Sequence, residues 1–243
     1  MFGTEDFHVA RFFSLCERGL TERGVSVDPT TDMEGGEARM RAMQKKGFTP
    51  MLSTEFHDLS KEEAFWLFLQ KDGQDIAGVA ARLDRLGSES LSEYWLRSYA
   101  RMYNIAPDAV SERHAPAAMT SIRGRVAYLG EFFFHPEARG SRNLYSLFTH
   151  LLFCYCQIHW RTDWQYAFIR KPDVERGLAS LYGYTVQVPG AQTWLTQVPG
   201  RISNEYLVAL PACDLCHAAQ FYTRSPEYFL GEDTLSKVEK LRT

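Results

Sequence analysis

The chain reads as a single α/β (α+β) domain, a mixed central sheet flanked by helices with a helical N-terminal extension, and three stretches carry that reading. Residues 64–69 and 76–81 are apolar runs on either side of Lys71-Asp72-Gly73-Gln74, which is the pattern of a β-hairpin closed by an Asp-Gly turn. Residues 126–134 form a nearly uninterrupted apolar run with one charge, Glu131, and stop at His135-Pro136. That pattern predicts a central strand buried on both faces, ended by a proline that cannot donate to the ladder. Over residues 141–160, Leu144, Leu147, Phe148, Leu151, Tyr155 and Ile158 recur three or four apart, which predicts an amphipathic helix.

The remaining elements follow in chain order. Phe7, Ala10, Phe12, Phe13, Leu15 and Cys16 mark a first helix, and residues 38–46 a second. Between them, residues 24–36 are polar and punctuated by Pro and Gly, which predicts a loop. Leu91, Trp95, Tyr99 and Met102 predict a helix over 88–103, capped by Ser88 or Ser90. Residues 104–123, with Pro107 and Pro116, read as a loop holding a short helix. After the long helix come a strand at 164–169, a short helix at 173–181, and strands at 184–188 and 204–210. The whole chain, 1–243, is read as one unit: a helical extension over 1–60, a core over 61–210 and a tail over 211–243.

The formal charge of −3, from 27 basic and 30 acidic residues, gives no long-range field that would draw the chain to a polyanion, so nucleic acid is not an expected partner. No apolar run approaches the roughly 20 residues of a membrane span. Glu5, Asp6, His8 and Arg11 do not make a basic-then-apolar export signal. Cytoplasmic residence is the resulting expectation, and five cysteines then read as reduced thiols. Cys213-Asp214-Leu215-Cys216-His217 spells a haem-attachment pattern and half of a zinc site. No second ligand pair stands at a matching spacing, since Cys154 and Cys156 are too close. The expectation is small residues packed after the last strand, and no metal.

The chemistry concentrates where the central strand turns into the long helix. A turn entering a helix leaves backbone N–H groups without intrahelical partners and gathers the positive end of the helix dipole. Such a turn receives anions. Gly140 lets the main chain approach a phosphate, and Arg139 and Arg142 add charge suited to a diphosphate.

Gly130-Glu131-Phe132-Phe133-Phe134-His135-Pro136-Glu137-Ala138-Arg139-Gly140 resembles the acyl-CoA-binding motif of the Gcn5-related N-acetyltransferases (GNAT superfamily). The resemblance reaches weakly forward to Gly183-Tyr184 and backward to the hairpin, about residues 64–210. It implies a mostly antiparallel sheet whose central strand splays from its neighbour. Phe132, Phe133 and Phe134 would then line the pantetheine arm, with Arg139, Gly140, Ser141, Arg142, Asn143 and Leu144 cradling the pyrophosphate. The family pattern Arg/Gln-x-x-Gly-x-Gly/Ala has Arg142 and Leu144 here in place of small residues, which narrows the cradle.

The resemblance further implies transfer of an acetyl or other acyl group from acetyl-CoA or another acyl-CoA, the co-substrate, to an unidentified amine of a small molecule or protein. That transfer needs the ammonium deprotonated and the leaving thiolate protonated. Ala179 falls where the family places a tyrosine, so nearby Tyr182 is the candidate thiol acid. Glu131 is the candidate base, because a carboxylate deprived of water takes up a proton more readily. His135 is a candidate relay, since imidazole ionises near neutral pH. His150 and His159 are expected on the polar or edge face of the long helix. The aromatic-rich connection over 88–124, with Tyr94, Trp95, Tyr99 and Tyr103, is either a lid over an acceptor pocket or packing. Two alternatives stay open: an N-acyl-amino-acid or homoserine-lactone-synthase-like enzyme fed by an acyl carrier protein, and a catalytically degenerate binding module. A homodimer is also open.

Overall fold

The computed structural model describes residues 4–57, 59–198 and 201–231. Helix α1 (Thr4–Thr21) leads into strand β1 (Val25–Thr30), helix α2 (Met33–Ala42), and the hairpin β2 (Ala64–Lys71) and β3 (Gln74–Gly87). Helix α3 (Leu91–Met102), strand β4 (Val110–His114) and helix α4 (Pro116–Thr120) precede the central strand β5 (Gly124–Phe134). Helix α5 (Arg142–Trp160) and strand β6 (Trp164–Arg170) are followed by the short helices α6 (Lys171–Glu175) and α7 (Leu178–Tyr182). Strands β7 (Val186–Val188), β8 (Gln192–Trp194) and β9 (Glu205–Pro211) and helices α8 (Ala212–Arg224) and α9 (Glu227–Leu230) complete the described chain.

Seven strands form one sheet in the order β1-β2-β3-β5-β6-β9-β7, and β4 pairs with β8 apart from it. Every adjacent pair in the large sheet is antiparallel except β5 with β6, so it is the mixed, mostly antiparallel sheet the sequence predicts. Alternation along β5 sorts the core into two layers. Ala127 and Leu129 pack with α1, α5 and α8 residues such as Phe12, Phe148 and Leu215. Val126 and Tyr128 pack on the opposite face with Trp66, Trp95 and Tyr99. Helix α5 buries Leu147, Phe148, Leu151, Leu152 and Phe153, each worth roughly 1.5–3 kcal/mol on leaving water. Its first turn is therefore anchored where β5 ends.

The hairpin turn places Asp72 and Gly73 both at positive φ (52° and 74°), the backbone that Asp-Gly adopts most readily. Ser90 and Glu93 form a reciprocal capping box at the start of α3.

Several expectations are corrected. Residues 24–36 are not a loop: 25–30 are the edge strand β1, paired with β2 from Val25↔Lys71 to Thr30↔Trp66, and α2 begins at Met33. Pro29 hides this strand in the sequence, yet an edge strand tolerates it. The first sixty residues thus supply a sheet strand besides their helices. Residues 110–114 within the expected loop are strand β4. The single helix over 173–181 is two, broken at Gly177 with φ +83°. The tail folds as α8 and α9 up to residue 231, and its residues 232–243 lie outside the described ones. Cys213 is exposed and Cys216 half-buried on α8. His150 is not on a polar face but buried at 7% exposure, its ring against Phe12, Phe153 and Phe229.

Candidate acyl-donor site

Strand β5 is bulged at the residue the sequence singles out. Gly78 pairs with Phe133 and Ala80 with Gly130, so Val79 faces both Glu131 and Phe132. Glu131 takes up the extra residue in a left-handed conformation, φ +61°, at a cost of roughly 1–2 kcal/mol for a residue with a Cβ. Two bonds hold it there. The Thr49 N–H donates to Glu131 Oε1 at 2.6 Å, and Lys45 Nζ lies 2.9 Å from Oε2. A Cβ on Gly130 would meet Leu52 Cδ1 at 2.7 Å and the Tyr128 ring at 2.9 Å. The bulge sends Phe132 and Phe134 to the α5 face and Phe133 to the other.

Beyond the bulge the sheet opens. β5 and β6 pair only from Val126↔Trp164 to Tyr128↔Tyr166. β5 nevertheless stays on β3 as far as Phe134, and β6 stays on β9 as far as Arg170. Two strands that are each held from outside and released from one another leave main-chain groups facing a gap, and buried groups of that kind call for partners. The gap is a cavity of about 430 Å³.

Its two sides differ in chemistry. On the α5 side the lining is apolar or hydroxylic: Leu129, Phe132, Thr149, Leu152, Ala167, Ile169, Tyr182 and Tyr184. On the other side it carries Lys45, Lys46, Thr49, Tyr103, Tyr128, Arg170, Arg201 and Glu205. Tyr182, at the end of α7, lies with its ring 4.9 Å from Phe132 and 6.5 Å from Tyr145. Burial raises its pKa above the usual phenolic value, so the hydroxyl keeps its proton. Arg201 Nε donates to the Tyr103 hydroxyl at 2.6 Å, its guanidinium stands 4.3 Å from the Phe168 ring centroid, and Glu205 Oε2 is 3.3 Å from Nη1. Burial raises the Glu205 carboxyl above its ordinary value, with Arg201 pulling the other way.

The turn into α5, whose Arg139, Ser141 and Leu144 line a separate groove and not this cavity, has the backbone features of an anion site. Gly140 is at φ +97°, and Ser141 caps the helix by accepting from the Leu144 N–H at 3.3 Å. Gly140 donates to the Tyr145 hydroxyl at 3.2 Å. The N–H groups of Arg142 and Asn143, first and second in the helix, have no intrahelical acceptor. Leu144 is buried with Leu147 in the core and lines the groove beside Ser141, and Arg142 is exposed. Arg139 does not point freely at the turn: its Nε donates to the Phe134 carbonyl at 3.0 Å, and its guanidinium lies 5.4 Å from the Phe133 ring centroid. Phe134 packs edge-on against Tyr145 at 4.4 Å.

Of the three predicted acid–base residues, Glu131 and Tyr182 line one cavity and His135 does not. His135 extends the ladder through its N–H to Ile76 O at 2.9 Å and lines a separate groove of about 860 Å³ beside Arg39, Lys71, Arg139 and Ser141. Sequence reasoning missed Lys45, Thr49, Arg201 and Glu205. The Arg201-to-Glu205 spacing of four before an apolar strand was the only available signal, and Tyr103 was flagged without a role.

No helix among the described residues is long and apolar enough to cross a membrane, and no metal-holding group of three or more His, Cys, Asp or Glu occurs among them. No protein-family model matches the chain, and no curated protein does. Solved structures similar to it include FeeM, an N-acyl amino acid synthase from uncultured soil microbes, at 13% identity over 81% of this chain and 97% of that one, TM-score 0.47. Naa50 of Arabidopsis thaliana in complex with the bisubstrate analogue CoA-Ac-MVNAL matches at 10% identity over 77% and 98%, TM-score 0.43. RimJ of Mycobacterium smegmatis in complex with CoA-disulfide matches at 12% identity over 81% and 89%, TM-score 0.43.

Proposed function

We propose that the protein is a GNAT-type N-acyltransferase that binds an acyl-CoA in the opening between β5 and β6 and transfers its acyl group directly to an amine entering from the opposite face. The observation that carries this reading is the strand separation itself. Three paired residues give way to a gap beside a bulge, which supports a channel for an extended thioester arm, and β5 then runs through Phe134 into the turn that starts α5, whose first N–H groups would seat the diphosphate.

The residues divide the work. Main-chain N–H groups of β5 past the bulge face the gap and meet the thioester carbonyl oxygen, where negative charge grows during attack; one such donor is worth about 3 kcal/mol. Glu205 takes a proton from the acceptor ammonium, and its raised pKa suits that task. Glu131, bound by Lys45 and Thr49, clamps residues 45–50 over the opening. The amine nitrogen attacks the carbonyl carbon, the C–N bond forms and the C–S bond breaks as the tetrahedral adduct collapses. Tyr182 gives its proton to the departing sulfur. Of the two protons the ammonium loses, one leaves through Glu205 to solvent and the other replaces the one Tyr182 gave up.

Release of free thiol from acetyl-CoA and longer acyl-CoAs, followed across a panel of amines, tests the reading. The expected result is amine-dependent release. Tyr182→Phe lowers kcat about 100-fold with KM for the acyl-CoA unchanged, as removal of a general acid does. Thiol release that ignores every amine, or a Tyr182→Phe enzyme at full rate, contradicts it.

A further inference from the structure

We propose that the acceptor is a free α-amino acid, its ammonium meeting Glu205 and its carboxylate meeting Arg201; this rests on the acyl-transfer reading and specifies its second substrate. The cavity's acceptor side presents one acid and one base as neighbours, with Arg201 Nη1 3.3 Å from Glu205 Oε2. Their side chains are only 5% and 11% exposed. An α-amino acid carries the complementary pair of charges on adjacent carbons, two bonds apart, so one small molecule satisfies both groups at once. A simple amine answers Glu205 alone and leaves the guanidinium with nothing new.

Two further features favour this occupant. Taking an ion pair out of water costs more than an apolar pair of similar size, and a zwitterion that brings matching charges adds the contacts that offset that cost. The lining cations are Lys45, Lys46, Arg170 and Arg201, against two carboxylates, Glu131 and Glu205. After the pairs Lys45–Glu131 and Arg201–Glu205, two positive charges remain around the opening. That excess disfavours acceptors with a surplus of positive charge, such as polyamines or a lysine side chain in a basic peptide, and favours one bearing a carboxylate. The planar guanidinium is already fixed through Nε by Tyr103, through Nη1 by Glu205, through Nη2 by Met51 Sδ and by the Phe168 face, so the one N–H left on each Nη meets a carboxylate with little left to order. Attack then joins the amino nitrogen to the acyl carbon, the thiol leaves, and the product is an N-acyl amino acid with its carboxylate still on Arg201.

The experiment compares three forms of each acceptor with acetyl-CoA as donor: the free amino acid, its amide and its decarboxylated amine, for tyrosine, phenylalanine, leucine and glutamine. Thiol release gives kcat/KM. Calorimetric titration of the N-acetyl amino acids and their amides gives binding that needs no turnover. At least a thirtyfold preference in kcat/KM for a free acid over its decarboxylated amine is expected, with at least tenfold tighter binding of an N-acetyl acid than of its amide. Arg201→Lys shrinks both ratios and Arg201→Met abolishes them; the wild-type ratios decide the matter whether or not these variants fold. Amides or decarboxylated amines that serve equally well or better overturn the inference while leaving acyl transfer standing. Acetyl-CoA binding with no affinity for any N-acetyl acid overturns it also, and absence of acetyl-CoA binding removes both readings.

Discussion

Gly183 is where a single side chain decides the site's shape. It ends α7 at φ +96°, a conformation that costs a residue with a Cβ roughly 1–2 kcal/mol. A Cβ there would also meet His150 Nε2 at 2.4 Å. His150 cannot retreat, because it lies among Phe12, Phe153 and Phe229. Gly183→Ala is therefore expected to lose about 2–5 kcal/mol, the backbone cost plus that of overpacking, and to move the adjacent Tyr182 in the cavity. Chemical denaturation measures this directly, and an unchanged midpoint speaks against the contact. Glu131 shows the reverse arrangement: a residue with a full side chain held at φ +61° because Lys45 and the Thr49 N–H grip its carboxylate.

Elements with a strong period were legible in the sequence, and the reason is burial. β5 and α5 each meet the core along most of their length, so their apolar spacing is close to complete. β1 was not legible, because an edge strand with one buried residue, Val25, needs no apolar run and admits Pro29. The bulge was not legible either, since Gly130-Glu131-Phe132 differs from an unbroken strand only in what faces it across the ladder. Part of the cavity comes from residues 45–49, 103, 201 and 205, brought to β5 by folding and not by proximity in the chain. Only the part borne on β5 and α7, Phe132 and Tyr182 among it, could be found by reading the chain.

The packing of the two helical layers also sets a pH limit. Burial lowers the pKa of His150, between α1, α5 and α8, and of His114, on β4 against Trp95 of α3, to about 4 in each case. Both stand below the value near 6.5 of an unfolded chain, so the fold favours the neutral rings. Their contribution is complete above about pH 6.5 and is lost as pH falls through about 4, on the order of 3 kcal/mol for each ring. Thermal melting should fall across that window, and His150→Phe should flatten part of the fall. A melting temperature that is level from pH 7 to 4.5, or a fall that His150→Phe leaves unaltered, contradicts the assignment.

For the whole molecule, one sheet that is continuous on both flanks and parted in the middle is the central claim, because every proposed role depends on an acyl-CoA lying in that parting. Ala167 lies on β6, 8% exposed, within the opening, and a Trp there would fill it. Calorimetric titration with acetyl-CoA of the wild-type protein and of Ala167→Trp is the most direct measurement. The account predicts one site of micromolar affinity in the wild type and none in the variant, while the variant keeps a cooperative melt. No heat at saturating acetyl-CoA, or equal binding by a folded Ala167→Trp protein, would contradict it.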